Sequence, residues 1–170
     1  FYMDKLVVGP AAAGKVDLDA PVVDNLHAIA RAKGMRMEEI TVVILDRVRN
    51  ADKIDAVREA GARVRLITDG DVAPALMTAL PGTGVNALMG IGGTPEGVAT
   101  ACAMLGFGGD IQARLAPQSD AERERVMKSG LDFERKLTTE EIVSGDDHYF
   151  AATGITEGDF LRGVRYTHSG

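Results

Sequence analysis

The segment Gly90–Gly97 has the composition of an anion-binding turn followed by a helix. It reads Gly-Ile-Gly-Gly-Thr-Pro-Glu-Gly and follows the apolar run Val85–Met89, which predicts a strand that enters a glycine-rich turn. Glycines let backbone N–H groups approach a ligand, and the start of a helix at Thr94 favours negative charge. Glu96 adds an oxygen ligand for a cation. These groups suit metal-assisted chemistry on a phosphate ester, although Thr94, Pro95 and Glu96 are also explained as an ordinary helix start.

Two other loops carry charged side chains after predicted strands. Arg47 and Arg49 follow the β-branched run Ile40–Leu45, and their alternate spacing in an extended segment would let both side chains bind one phosphate. Asp69-Gly70-Asp71 follows the next predicted strand, and its carboxylates suit sugar hydroxyls or a cation. Surface arginines and a turn with a helix cap explain each loop taken singly. Because ligands gather at the carboxyl ends of parallel strands, we expect the three loops to converge.

An alternation of strand and helix patterns predicts the elements that position these loops. The predicted strands are Lys5–Val8, Ile40–Leu45, Arg63–Thr68, Val85–Met89, Ile111–Leu115 and Tyr149–Thr153. The predicted helices are Val22–Lys33 before Gly34, 51–60 with Asn50 as its cap, 72–80, Pro95–Leu105, and two that begin at the capping-box sequences Ser119–Glu122 and Thr138–Glu141. Three successive strand–helix units indicate an α/β fold with a largely parallel sheet and flanking helices.

Composition and charge restrict the function classes. The 170 residues, 45% of them hydrophobic, suffice for one well-buried domain, and the net charge of −6 argues against a nucleic-acid or acidic-membrane surface. No apolar stretch approaches the roughly 20 residues of a spanning helix. Cys102, read as a small core residue, excludes an internal disulfide and fits a reducing compartment, so we expect a cytoplasmic protein. The histidines His27, His148 and His168 have no ligand-like spacing.

Five segments together resemble the class II fructose-1,6-bisphosphatases of bacteria, in order and spacing and over essentially the whole chain. They are Tyr2–Gly9, Arg47–Arg49, Asp69–Asp71, Gly90–Gly97 and Ala152–Gly158. Of these five segments, Gly90–Gly97 and Ala152–Gly158 are motifs specific to the family. The family belongs to the metal-dependent, lithium-sensitive sugar and inositol phosphatases. The resemblance therefore implies a layered α/β fold, a need for Mg²⁺ or Mn²⁺, and removal of the 1-phosphate of fructose 1,6-bisphosphate to give fructose 6-phosphate in gluconeogenesis.

The resemblance also assigns site residues by position. Glu96 resembles a metal ligand of the family, and the positions that resemble its substrate-binding residues are Tyr2, Arg47, Val48, Arg49, Asp69, Gly70, Asp71 and Gly93. The family often has lysine and proline where this chain has Arg47 and Val48. The acidic Asp-Pro-Ile-Glu-Gly-Thr segment of the family, where catalytic groups and further metal ligands are expected, does not occur in the sequence.

Residues 1–170, which open on Phe1, thus resemble the substrate-binding, carboxyl-terminal portion of a longer phosphatase. We expect this portion to be inactive alone and the complete enzyme to be a homo-oligomer. Three alternatives stay open: a sedoheptulose-1,7-bisphosphatase, an inositol phosphatase, and a non-catalytic sugar-phosphate-binding domain in which Glu96 only complements the helix dipole.

Overall fold

The computed structural model describes residues 1–145 and 147–167, and it contains one mixed five-stranded sheet. His168 lies outside the described residues. The strands are β1 (Tyr2–Val8), β2 (Thr41–Leu45), β3 (Arg63–Ile67), β4 (Ala87–Gly93) and β5 (Asp110–Leu115), in the order β3-β2-β4-β1-β5. Strand β2 pairs in parallel with β3 and β4, whereas β1 pairs antiparallel with β4 and β5. Among the described strands only β1 is reversed, which confirms the prediction of a largely parallel sheet.

Helices cover both faces of this sheet. They are α1 (Val22–Lys33), α2 (Ala51–Glu59), α3 (Val72–Met77), α4 (Thr94–Phe107), α5 (Asp120–Lys128) and α6 (Thr139–Ile142). Leu6 and Val8 pack with α1 and α2, while the intervening Val7 packs with α3 and α4 on the opposite face. This alternation along β1 produces two apolar clusters on either side of one sheet, so the predicted layered α/β fold is confirmed.

The glycine-rich segment differs from the prediction. Strand β4 runs on through Gly93 instead of ending at Met89, and α4 begins at the next residue. Every residue of β4 has a partner in β1, from Tyr2 opposite Gly93 to Val8 opposite Ala87. Pairing with β1 therefore extends the strand through glycines whose local preference is for a turn.

Other boundaries follow the prediction closely, with one exception. The strand predicted at Tyr149–Thr153 is wrong, because these residues form neither a strand nor a helix and the Tyr149 side chain is 86% exposed. Helix α5 has its predicted cap, since Ser119 Oγ accepts a hydrogen bond of 3.2 Å from the N–H of Glu122.

Cys102, expected in the core, is half-buried on α4. None of the helices in the described ranges combines the length and the apolar character that a membrane crossing requires.

Candidate functional site

A cavity of about 290 Å³ lies at the carboxyl edge of β2, β3 and β4. It is lined by Tyr2, Leu45, Arg47, Arg49, Asp69, Gly70, Asp71, Gly93 and Glu96. The three loops singled out from the sequence therefore converge, as the parallel-sheet argument predicts. Val48 is the one predicted site residue outside the lining, and its side chain is 95% exposed. The binding roles of these residues stay predictions.

The reversed direction of β1 explains why Tyr2 joins residues from the carboxyl ends of the other strands. Tyr2 begins β1 and lies opposite Gly93, the last residue of β4. An antiparallel strand presents its amino end at the edge where its neighbour ends. One end of β1 thus supplies an aromatic wall beside the start of α4.

Arg47 and Arg49 reach the cavity by a route that the sequence did not indicate. Arg47 is extended, with φ −140° and ψ 144°, but Val48–Asn50 form a 3₁₀ turn, so the predicted extended segment is wrong. The turn nevertheless brings both arginines to one cavity. Arg47 Nη2 donates to the carbonyl oxygen of Thr68 at 2.6 Å, which links the loop after β2 to the loop after β3.

The Asn50 side chain bonds to the backbone of Leu45 and of Ile91 and does not cap α2, in contrast to the prediction. Parallel pairing of β2 with β4 ends at Val43 opposite Leu88. Beyond that point the buried Asn50 side chain spans the two strands: Nδ2 donates to the carbonyl oxygen of Leu45 at 3.0 Å, and Oδ1 accepts from the N–H of Ile91 at 2.7 Å. The side chain therefore replaces missing backbone hydrogen bonds where the strands separate.

The two carboxylates of the Asp69-Gly70-Asp71 turn have different environments. Asp69 is exposed at the cavity, and its Oδ1 accepts a hydrogen bond from the N–H of Gly70 at 2.9 Å. Asp71 is only 5% exposed, and its Oδ2 lies 2.6 Å from Nζ of Lys5. Asp71 precedes α3 without a side-chain capping bond, so the simple turn-and-cap interpretation does not account for it.

Lys5 is a site-associated residue that sequence reasoning missed. It is 1% exposed, and its Nζ also donates to the carbonyl oxygen of Gly93 at 3.0 Å. The available signal was a lysine at the start of the otherwise apolar strand pattern Lys5–Val8. Buried lysines are rare unless they are paired, so that position predicts a buried acidic partner.

Glu96 lies in the first turn of α4 and is exposed at the cavity. A Cβ atom added to Gly93 would lie 1.9 Å from Glu96 Oε2, so the carboxylate folds back over this glycine. Gly93, and not Thr94, is the residue that precedes the helix, so the capping role considered for Thr94 is wrong. Within the described ranges, no group of three or more His, Cys, Asp or Glu side chains could hold a metal ion. Glu96 therefore offers one ligand of the oxygen type that hard cations prefer, and not a complete site.

A second cavity, of about 440 Å³, adjoins the first at Asp69 and Gly70. Its outer wall is the late segment from Gly154 to Leu161, which includes part of the Ala152–Gly158 motif. Arg65 of β3 forms an ion pair with Asp159 of this segment. The motif thus lies beside the acidic turn of the first cavity, although it does not line that cavity.

The whole chain, residues 1–170, matches the family described as bacterial fructose-1,6-bisphosphatase, glpX-encoded. The chain belongs to this family. A bisphosphatase named D-fructose 1,6-bisphosphatase class 2/sedoheptulose 1,7-bisphosphatase from Synechococcus sp. (strain JA-3-3Ab) is 44% identical over 99% of this chain and 52% of its own length. A similarly named protein from Acaryochloris marina is 43% identical over 100% of this chain and 53% of its own length. The chain therefore spans about half the length of the curated bisphosphatases that it matches, and the resemblance found in its motifs is confirmed.

Proposed function

We propose that this chain is the sugar-phosphate-binding portion of a metal-dependent enzyme that converts fructose 1,6-bisphosphate to fructose 6-phosphate and phosphate. The observation that carries the proposal is the convergence of two arginines, two aspartates and the start of α4 on one cavity of about 290 Å³. Arginines favour phosphate oxygens, carboxylates accept hydrogen bonds from sugar hydroxyls, and a helix start favours an anion. A phosphorylated sugar carries both phosphate groups and hydroxyls, so it can bind to the arginines, the carboxylates and the helix start at the same time.

Each group of residues has its own role in this proposal. Arg47 and Arg49 bind the phosphate that is not cleaved, and Asp69 with Asp71 orients the sugar through its hydroxyls. The N–H groups at the start of α4 face the phosphate that is released. These contacts hold the substrate in one orientation, which reduces the entropic part of the reaction barrier.

A metal ion completes the chemistry in this family. Glu96 is the residue of this chain that would hold Mg²⁺ or Mn²⁺, because its carboxylate is exposed at the cavity beside the helix start. When bound, such an ion stabilises the charge that develops on the phosphate. Because the described residues do not form a complete metal site, we propose that the remaining ligands come from outside residues 1–170.

We further propose a cytoplasmic homo-oligomer that acts in gluconeogenesis. The single cysteine of the sequence fits a reducing compartment. The relatives carry names that pair fructose 1,6-bisphosphatase with sedoheptulose 1,7-bisphosphatase, so the seven-carbon bisphosphate is the second substrate to test.

The test compares residues 1–170 alone with a complete enzyme, in which the amino-terminal half of the Synechococcus relative is joined to them. Phosphate release from fructose 1,6-bisphosphate is measured with and without Mn²⁺. We expect metal-dependent release by the complete enzyme, and weak binding of fructose 6-phosphate without phosphate release by residues 1–170. Metal-stimulated turnover by residues 1–170 would contradict the incomplete metal site, and an inactive complete enzyme would contradict the bisphosphatase assignment.

A further inference from the structure

The side chain of Lys5 lies beneath the first cavity and connects two of its walls. Its Nζ is 2.6 Å from Asp71 Oδ2 and 3.0 Å from the carbonyl oxygen of Gly93, residues that are 66 and 88 positions away in the sequence. Asp71 and Gly93 both line the cavity, whereas Lys5 does not. Lys5 therefore acts on the surface that faces the ligand only through these two partners.

Gly92 of the Gly90–Gly97 segment makes room for this contact. A Cβ atom at Gly92 would lie 2.3 Å from Asp71 Oδ2 and 3.0 Å from Lys5 Nζ. The glycine motif thus accommodates a buried ion pair as well as a helix start, and this use is independent of anion binding.

Fold stability gives little reason for a charged residue at this position. Replacing a buried ion pair by apolar side chains of similar volume is often neutral or stabilising. An apolar side chain at position 5 would fill the same space between β1 and α4, but it could not donate hydrogen bonds to Asp71 and to Gly93 together. The distinctive property of Lys5 is therefore the orientation that it imposes on its partners.

We infer that Lys5 is a positioning residue for sugar recognition. It holds Asp71 Oδ2 in place, which leaves Oδ1 to accept a hydrogen bond from a sugar hydroxyl, and it fixes the carbonyl of Gly93 where β4 passes into α4. The inference rests on the proposed function and specifies the step in which Lys5 acts, namely binding of the sugar hydroxyls. Lys5 affects the affinity for the sugar more than the rate of phosphate release.

The experiment is a double-mutant cycle in the complete enzyme, with Lys5→Met, Asp71→Asn and the double variant. Binding of fructose 6-phosphate is measured by calorimetry without metal, and KM and kcat are measured for fructose 1,6-bisphosphate. Because each single change removes a charge-assisted hydrogen bond, we expect each to raise Kd and KM about tenfold, with kcat changed less than about threefold. Since Lys5 acts through Asp71, the double variant should also lose about tenfold and not about a hundredfold.

Lys53→Met is the matched control, because Lys53 forms a second ion pair with β1, Nζ to Asp4 Oδ2 at 2.6 Å, and does not line the cavity. It should leave Kd and KM unchanged. Should Lys5→Met fail to fold, Lys5→Gln provides the same test with Asp71 in place, because glutamine keeps a hydrogen-bond donor at the buried position but loses the charge. A Kd raised in Lys5→Gln and unchanged in Lys53→Gln supports the inference, and an unchanged Kd in a folded Lys5→Gln overturns it.

Two failures are distinguishable. Wild-type Kd and KM in Lys5→Met, with only a lower melting temperature, would overturn the positioning role and leave the proposed function intact. A wild-type complete enzyme that neither binds fructose 6-phosphate nor releases phosphate would overturn the proposed function, and this inference with it.

Discussion

The guanidinium group of Arg49 lies over the aromatic ring of Tyr2, with 4.5 Å between its central carbon and the ring centroid. Arg49 Nε also donates to the carbonyl oxygen of Ile91 at 3.2 Å. A ring face and a carbonyl oxygen thus hold the group from two directions, which limits the conformational entropy that it would lose when it binds an anion. Within the described residues the other N–H groups of Arg49 form no hydrogen bond or ion pair, so they can bind a ligand in the cavity.

Arg49→Ala in the complete enzyme should mainly raise KM for fructose 1,6-bisphosphate and change kcat little. A charge-assisted hydrogen bond contributes roughly 1.5–3 kcal/mol, and contacts to a phosphate that is not cleaved are made equally in the ground and transition states. Steady-state kinetics on the bisphosphate and on fructose 1-phosphate, which lacks the distant phosphate, provide the measurement. Arg36→Ala, which removes an arginine that is 72% exposed and does not line the cavity, is the control. Equal losses on both substrates would show that Arg49 does not bind the distant phosphate.

Glu96→Gln should lower activity by orders of magnitude and increase the metal concentration needed for half-maximal rate. The amide keeps the size of the side chain but loses the charge that a hard cation requires. If Glu96 only complemented the dipole of α4, the loss would be at most about 1 kcal/mol of stability. Metal titrations of phosphate release, together with thermal unfolding, separate the two roles. Glu140→Gln, which changes another exposed first-turn glutamate, should behave as wild type.

Gly90→Ala should destabilise the fold by more than about 1 kcal/mol, because a side chain at its φ of +118° is strained. The added Cβ would also lie 2.8 Å from Oδ1 of Asn50, the atom that binds the N–H of Ile91. Gly106→Ala is the control: this glycine lies within α4 and has no atom within 4 Å of its added Cβ. Alanine there should stabilise by about 0.5–1 kcal/mol. Urea unfolding of both variants gives the comparison, and equal midpoints would contradict the role assigned to Gly90.

Lys136→Met should destabilise the protein near neutral pH by an amount that disappears in acid and in strong base. The hydrogen bond from Lys136 lowers the pKa of the Asp17 carboxyl, and hydrogen bonds from Arg114 and Lys136 lower the pKa of Asp19. A lowered carboxyl pKa gives stability above the ordinary aspartate pKa of about 3.9, and that stability is lost as pH falls through the shifted value.

The same bonds, to Asp17 first, raise the pKa of Lys136, so its contribution is complete below the ordinary lysine pKa of about 10.4 and is lost as pH rises through the shifted value. Melting temperatures of wild type and Lys136→Met from pH 2 to 11 provide the check. Because these groups are exposed, the difference should be small and should shrink in high salt. A difference that does not depend on pH would contradict the ion-pair explanation.

The convergence of the loops could be predicted because it depends on two regular features of the sequence. Strand–helix alternation predicts parallel strands, and parallel strands bring the residues that follow them to one edge. These two features were sufficient to predict that Arg47 and Asp69 lie at the same cavity. The resemblance to a known family added predicted roles for Tyr2 and Glu96, which alternation alone does not give and which stay predictions.

The residues that were missed have partners far away in the sequence. Lys5 pairs with Asp71, and the Asn50 side chain binds the backbone of Ile91, 41 residues further on. Local patterns assign Asn50 to a helix cap, because that use is common and requires only its neighbours. The strand predicted at Tyr149–Thr153 does not form. Residues with a high preference for strands form one only where another strand can pair with them, and a local pattern does not reveal whether such a partner exists.

The space shared by Lys5, Asp71 and Gly92 has a consequence for redesign of the enzyme. In a library that varies Asp71 alone to alter the accepted sugar, asparagine keeps an oxygen that can accept a hydrogen bond from Lys5. Most other substitutions would leave the buried ammonium group without a partner, and these members would be lost as misfolded protein before any sugar was assayed. If the three positions are varied together, selection can recover combinations of three side chains that pack together, whether these are apolar or polar. Natural relatives with other sugar preferences should likewise differ at all three positions or at none, and an alignment of such relatives would reveal this as covariation.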